Sequence, residues 1–535
     1  MSQMLKSSGA MAAATLTSRL LGMVREIVYA RFMGDTWVAG VFKFAFQIPN
    51  LFRRLLGEGA LTAAFIPIFK EKEKTQGEVE MWRAANAVIS GLVVAASAIV
   101  GLVMIGLSVA LAAHQFLAKT ELTLQLLRVM FPYMLLVCLA AAMMGMLNAR
   151  GHFFIPAMGA TALNVVMIAS VLWLAPKFGL DLPKEQRLPV QIFALAYGVL
   201  AAGMAQAAFQ LPSLWRDGFR YRWVSPWRNE TVWLIVTRMI PGTIGVAAFQ
   251  INVTLVGFLA VWVNPQINAS FDYAVRLMEL PQGMFGISLA TYLLTTLSGL
   301  AVEKNYAEFR ATLRHGLGTL LFANLIAAIL LVLLAEPIVR LLFERGDRFT
   351  AASTARAAFA LQCLAPGLVA FSSVNVLARA FFALGDTKTP MKISIVCLTV
   401  NLILAAALIL PLRQGGLGLA NTATSIGNVG LLVFALRKKM GKLEMEPLRK
   451  TFLPLAIAGL LAGVIAWFGW HFWENKLGHA TITLKIGAVF VPAGFAGLVY
   501  WLLALAFKIP AAKEMTEFAL ARFRRQRQSV HPPSR

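Results

Sequence analysis

The chain has 535 residues, 59% hydrophobic and 14% charged, with a mean hydropathy of +0.70. Soluble domains carry about 25% charged residues, so a soluble fold is excluded and length counts membrane spans. The net charge of +24 fits Lys and Arg gathered in cytoplasmic loops, and no nucleic-acid partner is needed to explain it.

Apolar runs predict an all-α polytopic membrane protein with about fourteen spans, since a bilayer-crossing helix needs about 20 residues. In chain order the runs cover 8–32, 38–68, 84–113, 122–148, 155–176, 188–213, 231–262, 268–300, 308–335, 354–384, 390–411, 416–436, 451–473 and 482–507. Arg19 and Arg25 break what would be the apolar region of a signal peptide, so no cleavable leader is expected.

In the first span Arg19, Gly22 and Glu26 are spaced i, i+3 and i+7 and share a face. Arg25 and Glu26 are adjacent and point in different directions, so they are not expected to neutralise each other. A charge at the bilayer centre costs about 2.5–3.5 kcal/mol. Two readings follow: Arg19 and Arg25 face a wet cavity that receives an anion, or they snorkel to the interface.

The second span is too long to be straight, and Pro49 and Gly57 are expected to bend it. Arg54 and Glu58, at i and i+4, form a structural pair. Arg53 has no intrahelical acid and is the candidate for holding substrate.

Pro132, Gly151 and Pro156 recur as Pro366, Gly385 and Pro390 at an offset of about 234 residues, and Pro49 echoes more weakly in Pro281. The shift covers an even number of spans, so the copies share orientation as a parallel repeat. The expected domains are a six-helix lobe over 1–213, a basic and aromatic cytoplasmic linker over 214–230, and a second six-helix lobe over 231–440. Two extra helices over 441–507 and a basic cytoplasmic tail over 508–535 complete the chain.

In the linker Trp215, Trp223 and Trp227 alternate with Arg216, Arg220, Arg222 and Arg228, the pattern of a segment touching anionic headgroups. In the eighth span Asp272 and Glu279 both reach Arg276. That cluster is either self-neutralised and structural, or an exchangeable pair that frees Arg276 when an anion arrives. Gly415-Gly416-Leu417-Gly418 lacks the Lys-Ser/Thr of a phosphate loop and reads as a turn, while Gly459 and Gly463 read as helix packing. Basic residues such as Lys70, Lys72, Lys74 and Arg83, then Arg437, Lys438 and Lys439, mark one set of loops and put both termini in the cytoplasm. Cys138, Cys363 and Cys397 lie in apolar stretches and imply free thiols. The six histidines show no metal-ligand spacing, and no metal is expected.

Several of these stretches carry a family resemblance. Thr17-Ser18-Arg19-Leu20-Leu21-Gly22 with Arg25-Glu26, and Pro49-Asn50-Leu51-Phe52-Arg53-Arg54 with Glu58-Gly59-Ala60, resemble the MurJ (MviN) lipid II flippases. So do Leu147-Asn148-Ala149-Arg150-Gly151, Arg276-Leu277-Met278-Glu279-Leu280-Pro281, Phe343-Glu344-Arg345-Gly346 and Leu384-Gly385-Asp386-Thr387-Lys388-Thr389-Pro390.

The resemblance implies a multi-pass protein of the bacterial inner membrane, in the multidrug/oligosaccharidyl-lipid/polysaccharide exporter superfamily. Its cargo would be lipid II, the undecaprenyl-pyrophosphate-linked cell-wall precursor. The family's cavity arginines match Arg19, Arg25, Arg53 and Arg276, and its last two helices line a lipid-tail groove. Partners implied are lipid II, anionic membrane lipids and the cell-wall synthesis machinery, with the chain a monomer.

The chain also departs from relatives. Val38-Ala39-Gly40-Val41 and Val275 stand where some have acids. Some relatives bind sodium through acids in the C-terminal half, where span 7 of this chain offers Gln250 and Asn252 and span 11 only Asn401. No cofactor is expected, and coupling to a monovalent cation is left open.

The mechanism expected is alternating access. A flippase for another polyprenyl-pyrophosphate glycan would use the same arginines. A cationic-drug exporter would want unpaired acids. A membrane-embedded glycan-lipid enzyme would need an acidic metal pair or a nucleophile with its base. Here Glu26, Glu58, Asp272 and Glu279 each sit beside or within helical reach of an arginine.

Overall fold

The computed structural model describes residues 2–517 except 53, 56–59, 153, 228 and 442. Its regular structure is all helical, with no strand among the described residues. The helices are α1 (Ser2–Met33), α2 (Trp37–Phe52), α3 (Ala60–Ala113), α4 (Ala118–Met130), α5 (Tyr133–Ala149), α6 (Phe154–Ala169), α7 (Leu188–Arg216) and α8 (Glu230–Val263). They continue with α9 (Pro265–Pro281), α10 (Ser288–Val302), α11 (Tyr306–Leu333), α12 (Ala335–Phe343), α13 (Ala351–Leu364), α14 (Leu368–Ala383), α15 (Lys388–Met440), α16 (Glu446–Lys476) and α17 (Ile482–Ala506). Helices satisfy their own backbone groups, which an apolar solvent demands.

Among the described residues nine helices are long and apolar enough to cross a bilayer, or ten if the bent pair α4–α5 is one span. The count of fourteen is not confirmed by these lengths, in part because two of the long helices each run through a break. The helix α3 is interrupted at Gly77 (φ 84) and α15 at Arg413 (φ 50), so each merges two stretches. Arg413 also corrects the turn expected at 415–418. The turn sits at Arg413, and the glycines lie in the helix beyond it. There they permit close approach: a Cβ at Gly415 would lie 2.3 Å from the Phe359 ring, and one at Gly418 2.9 Å from the Ala360 carbonyl.

The repeat is visible in hydrogen bonds. Gly151 (φ 88) and Gly385 (φ 73) end α5 and α14 in the left-handed conformation glycine permits. His152 N–H donates to the Leu147 carbonyl and Asp386 N–H to the Phe381 carbonyl, both at 2.9 Å and both at the same offset. Pro132 lies between α4 and α5, and Pro366 lies in the 3₁₀ turn Ala365–Gly367 between α13 and α14. Pro49 and Pro281 are each followed by π-helical turns, at Arg54-Leu55 and at Gln282–Ile287. Pro49 lies inside α2, three residues before its end at Phe52, and Gly57 lies outside the described residues.

The chain divides into two compact units, Met1–Ala269 with Arg345–Thr350, and Ser270–Glu344 with Ala351–Arg535. In the first unit α6 packs on α1 and α7, and α3 packs on α5 and α8. Small residues allow this: a Cβ at Gly203 would meet the Tyr133 ring at 2.8 Å. The fully buried Phe42, Phe131 and Tyr133 fill the core. In the second unit α10, α11, α14 and α15 pack together, and α16 and α17 form a hairpin on α11. Gly459 and Gly463 do serve packing, lying against Ile329 and Leu333 of α11. The Tyr500 hydroxyl donates to the Phe322 carbonyl at 2.8 Å.

The turn into α15 is held by Asp386. Its Oδ1 accepts from Thr389 N–H at 3.0 Å, and its Oδ2 accepts from the Thr389 hydroxyl at 2.8 Å and from Lys439 Nζ at 2.7 Å. Burial alone would raise its pKa, but Lys439 and Thr389 outweigh it and hold the carboxyl at about 2. A depressed carboxylate stabilises above the ordinary aspartate value of about 3.9 and loses that contribution as pH falls towards the folded value. Asp386→Asn is expected to cost about 1–2 kcal/mol at neutral pH. The difference from wild type should shrink below about pH 3 in thermal unfolding of the purified protein.

Candidate functional site

In the first unit α1 carries a guanidinium into the helical interior. Arg25 is 16% exposed at its side chain and Glu26 is 4% exposed. Arg25 pairs with Glu26 at 2.6 Å and donates to Asn164 Oδ1 of α6 at 3.0 Å. Asn164 in turn donates to the Ser18 carbonyl at 3.1 Å, which fixes its amide and ties α6 to α1. The guanidinium also lies 5.5 Å from the Tyr29 ring centroid, within cation–π range. From α2, Lys43 approaches Glu26 Oε2 at 3.9 Å with its side chain 9% exposed.

This pairing corrects the expectation that neighbours on a helix cannot neutralise each other. Their Cβ atoms do diverge by about 100°. The arginine arm is long enough to curl back, and burial of Glu26 makes an unpaired carboxylate costly. Two cations now share one buried acid. Lys43 and Asn164 were missed because their role depends on contacts distant in sequence. The available signal was a lone Lys in Val41-Phe42-Lys43-Phe44 and a lone Asn in an apolar span.

Arg19, two turns before Glu26, is exposed, and no partner holds it among the described residues. Arg54 lies in the π-helical turn after α2 and is partly buried. Arg53 and Glu58 lie outside the described residues.

In the second unit Arg276 on α9 is a third exposed. It donates to Glu279 Oε2 at 3.0 Å and lies 3.5 Å from Asp272 Oδ1. One arginine is thus held by acids one turn before and one turn after it. Asn401 donates to Thr424 Oγ1 at 3.2 Å and is buried. Gln250 and Asn252 are also buried, in the first unit.

An open-sided apolar cavity of about 580 Å³ lies along the α16–α17 hairpin. Phe468, Phe472, Trp473, Leu477 and Phe495 are among its lining residues.

Chemically, the first unit offers cations whose present partners are neutral amides or shared carboxylates. Such cations can exchange those partners for phosphate oxygens, which guanidinium groups bind in a two-pronged fashion.

Comparison with known proteins agrees in both sequence and fold. Residues 29–487 match the family model of lipid II flippase MurJ. A probable lipid II flippase MurJ of Vibrio cholerae serotype O1 is 32% identical over 96% of this chain and 98% of its own. A lipid II flippase MurJ of Burkholderia cenocepacia is 32% identical over 86% of this chain and 89% of its own. A solved lipid II flippase MurJ in an inward closed conformation shares the fold at a TM-score of 0.75, with 21% identity over 93% of this chain and 98% of that one. An inward-facing multidrug resistance MATE family transporter of the MOP superfamily follows at 0.64, with 14% identity over 81% of this chain and 98% of that one. With residues 29–487 matching the family model and a relative 32% identical along nearly the whole chain, the chain belongs to the lipid II flippase MurJ family.

Proposed function

We propose that this chain moves lipid II from the cytoplasmic to the periplasmic leaflet by alternating access, and that Arg19, Arg25, Arg53 and Arg276 receive its pyrophosphate. As a member of a flippase family it is a transporter, not an enzyme. The carrying observation is Arg25, kept inside an apolar helical unit by Glu26 and Asn164. A diphosphate resists leaving water, and a cation already desolvated and hydrogen-bonded, as Arg25 is, lowers that resistance. Glu26, Asp272 and Glu279 act as placeholders that the anion displaces, and Arg54 with Glu58 stiffens the second span.

The cavity between α16 and α17 supports 441–507 as the groove for the lipid tail. The linker's exposed Trp215, Trp223 and Trp227 support contact with anionic lipid. Asn86 pins that linker by donating to the Arg220 carbonyl at 3.0 Å. The basic-loop bias supports cytoplasmic termini.

An anion leaving a negative interior gains about 2.3 kcal/mol per charge per 100 mV. Purified protein in vesicles with fluorescent lipid II should therefore flip faster when an inside-negative potential is imposed. Equal rates after full collapse of the potential would remove the potential from the mechanism. No transfer of lipid II, with transfer of another polyprenyl-pyrophosphate glycan, would replace the cargo.

A further inference from the structure

A charged cluster in the second unit ties α12 to the α16–α17 hairpin, and the transport reading does not use it. Arg340 of α12 is at its centre, with its side chain 11% exposed. Arg340 pairs with Glu336 one turn earlier, lies 3.8 Å from Glu344, and donates to Glu474 Oε1 of α16 at 3.0 Å. Lys485 of α17 lies 3.5 Å from Glu344, and the Thr354 hydroxyl of α13 donates to Glu344 at 2.6 Å. His479, in the turn joining α16 to α17, places Nδ1 2.5 Å from Glu474 Oε1 and 3.3 Å from an Arg340 nitrogen.

The charges do not close without the histidine. Among the ion pairs of the described residues, Glu336, Glu344 and Glu474 face Arg340 and Lys485, one more carboxylate than cations. Glu474 shows it: its Oε2 is buried with no hydrogen-bond partner among the described residues. Two acceptors cannot sit at the His479–Glu474 distance without a hydrogen between them, so Nδ1 donates to the carboxylate. An imidazolium would make that bond charge-assisted and supply the missing positive charge.

We propose that this cluster is a proton-sensitive clamp on the hairpin. With His479 protonated, the turn between α16 and α17 is fastened to α12. With His479 neutral, one half-buried acid is uncompensated and the turn loosens. Histidine is the side chain that changes charge between about pH 5 and 8, so the clamp holds at low pH and slackens as pH rises. Its position gives it leverage. Trp473 and Leu477, on either side of Glu474, line the apolar cavity. Trp473 is itself seated, donating to the Leu484 carbonyl at 3.1 Å with its ring against Gly487.

Hydrogen exchange of the 474–487 stretch in the full-length protein tests this, with rates corrected for intrinsic pH dependence. Wild type should exchange about tenfold faster at about pH 8 than at about pH 6, the scale of one charge-assisted bond. His479→Gln should exchange equally at both. Glu474→Gln removes the surplus charge and should remain slow at both, a gain of order that misfolding cannot mimic. A wild type without pH dependence, or His479→Gln that keeps it, overturns the clamp. No cargo is present in the measurement, so its failure leaves the transport reading standing.

Discussion

Arg25→Ala should lower lipid II flipping in vesicles by about 10–100-fold, the loss of one charge-assisted contact to a phosphate. Arg25→Lys should recover only part of it, because an ammonium keeps the charge but not the two-pronged fit. The single Ala variant has a second consequence. Glu26, 4% exposed, would lose its 2.6 Å partner, with Lys43 no nearer than 3.9 Å. Removing one partner of a buried pair costs about 3–5 kcal/mol, so lost activity could reflect lost protein. The double variant Arg25→Ala/Glu26→Gln removes the buried charge that lost its arginine and should restore thermal stability towards wild type while flipping stays low. Wild-type flipping by that stably inserted double variant would sink the role given to Arg25. Glu26→Gln alone should tighten cargo binding, since Arg25 and Lys43 lose the carboxylate that competes with phosphate.

What could be read from the sequence depended on how local its cause was. Gly151 and Gly385 end helices in a left-handed turn that few other residues take, so residue type and spacing alone exposed the repeat. Arg276 lay within one turn of both acids, and helical geometry alone foretold the ion pairs with Asp272 and Glu279. The Arg25–Glu26 pair was misjudged because a helical wheel places Cβ atoms and ignores the reach of a long side chain. Lys43 and Asn164 escaped notice because α2 and α6 meet α1 only in the folded unit. Arg413 was hidden by the glycines after it. Gly415, Gly416 and Gly418 look like a turn, yet packing against Phe359 and Ala360 uses their missing side chains inside a helix, and the non-helical φ falls on an arginine.

Gly34→Ala should cost about 3 kcal/mol or more, and the loss should be felt 300 residues away in sequence, at about position 348. Gly34 follows α1 with φ 59, and a Cβ there would lie 2.1 Å from the Arg348 carbonyl oxygen. That contact is backbone against backbone, so no side chain can turn aside. The segment Arg345–Thr350 belongs to the first unit although the helices flanking it belong to the second. It is fastened there by several contacts. The Arg348 guanidinium donates to the Phe32 carbonyl at 2.6 Å and lies 5.6 Å from the Phe32 ring centroid. Lys184 pairs with Asp347 at 2.9 Å, and Phe349 is buried. Gly151→Ala is the control, because Gly151 has φ 88 with nothing within 4 Å of the added carbon. It carries the left-handed strain alone, about 1–2 kcal/mol. Both variants should unfold at lower temperature, Gly34→Ala more so. Only Gly34→Ala should speed hydrogen exchange at 345–350 and open Arg348 to trypsin. Equal protection of that segment in the two variants would mean that the Gly34 contact does not hold it.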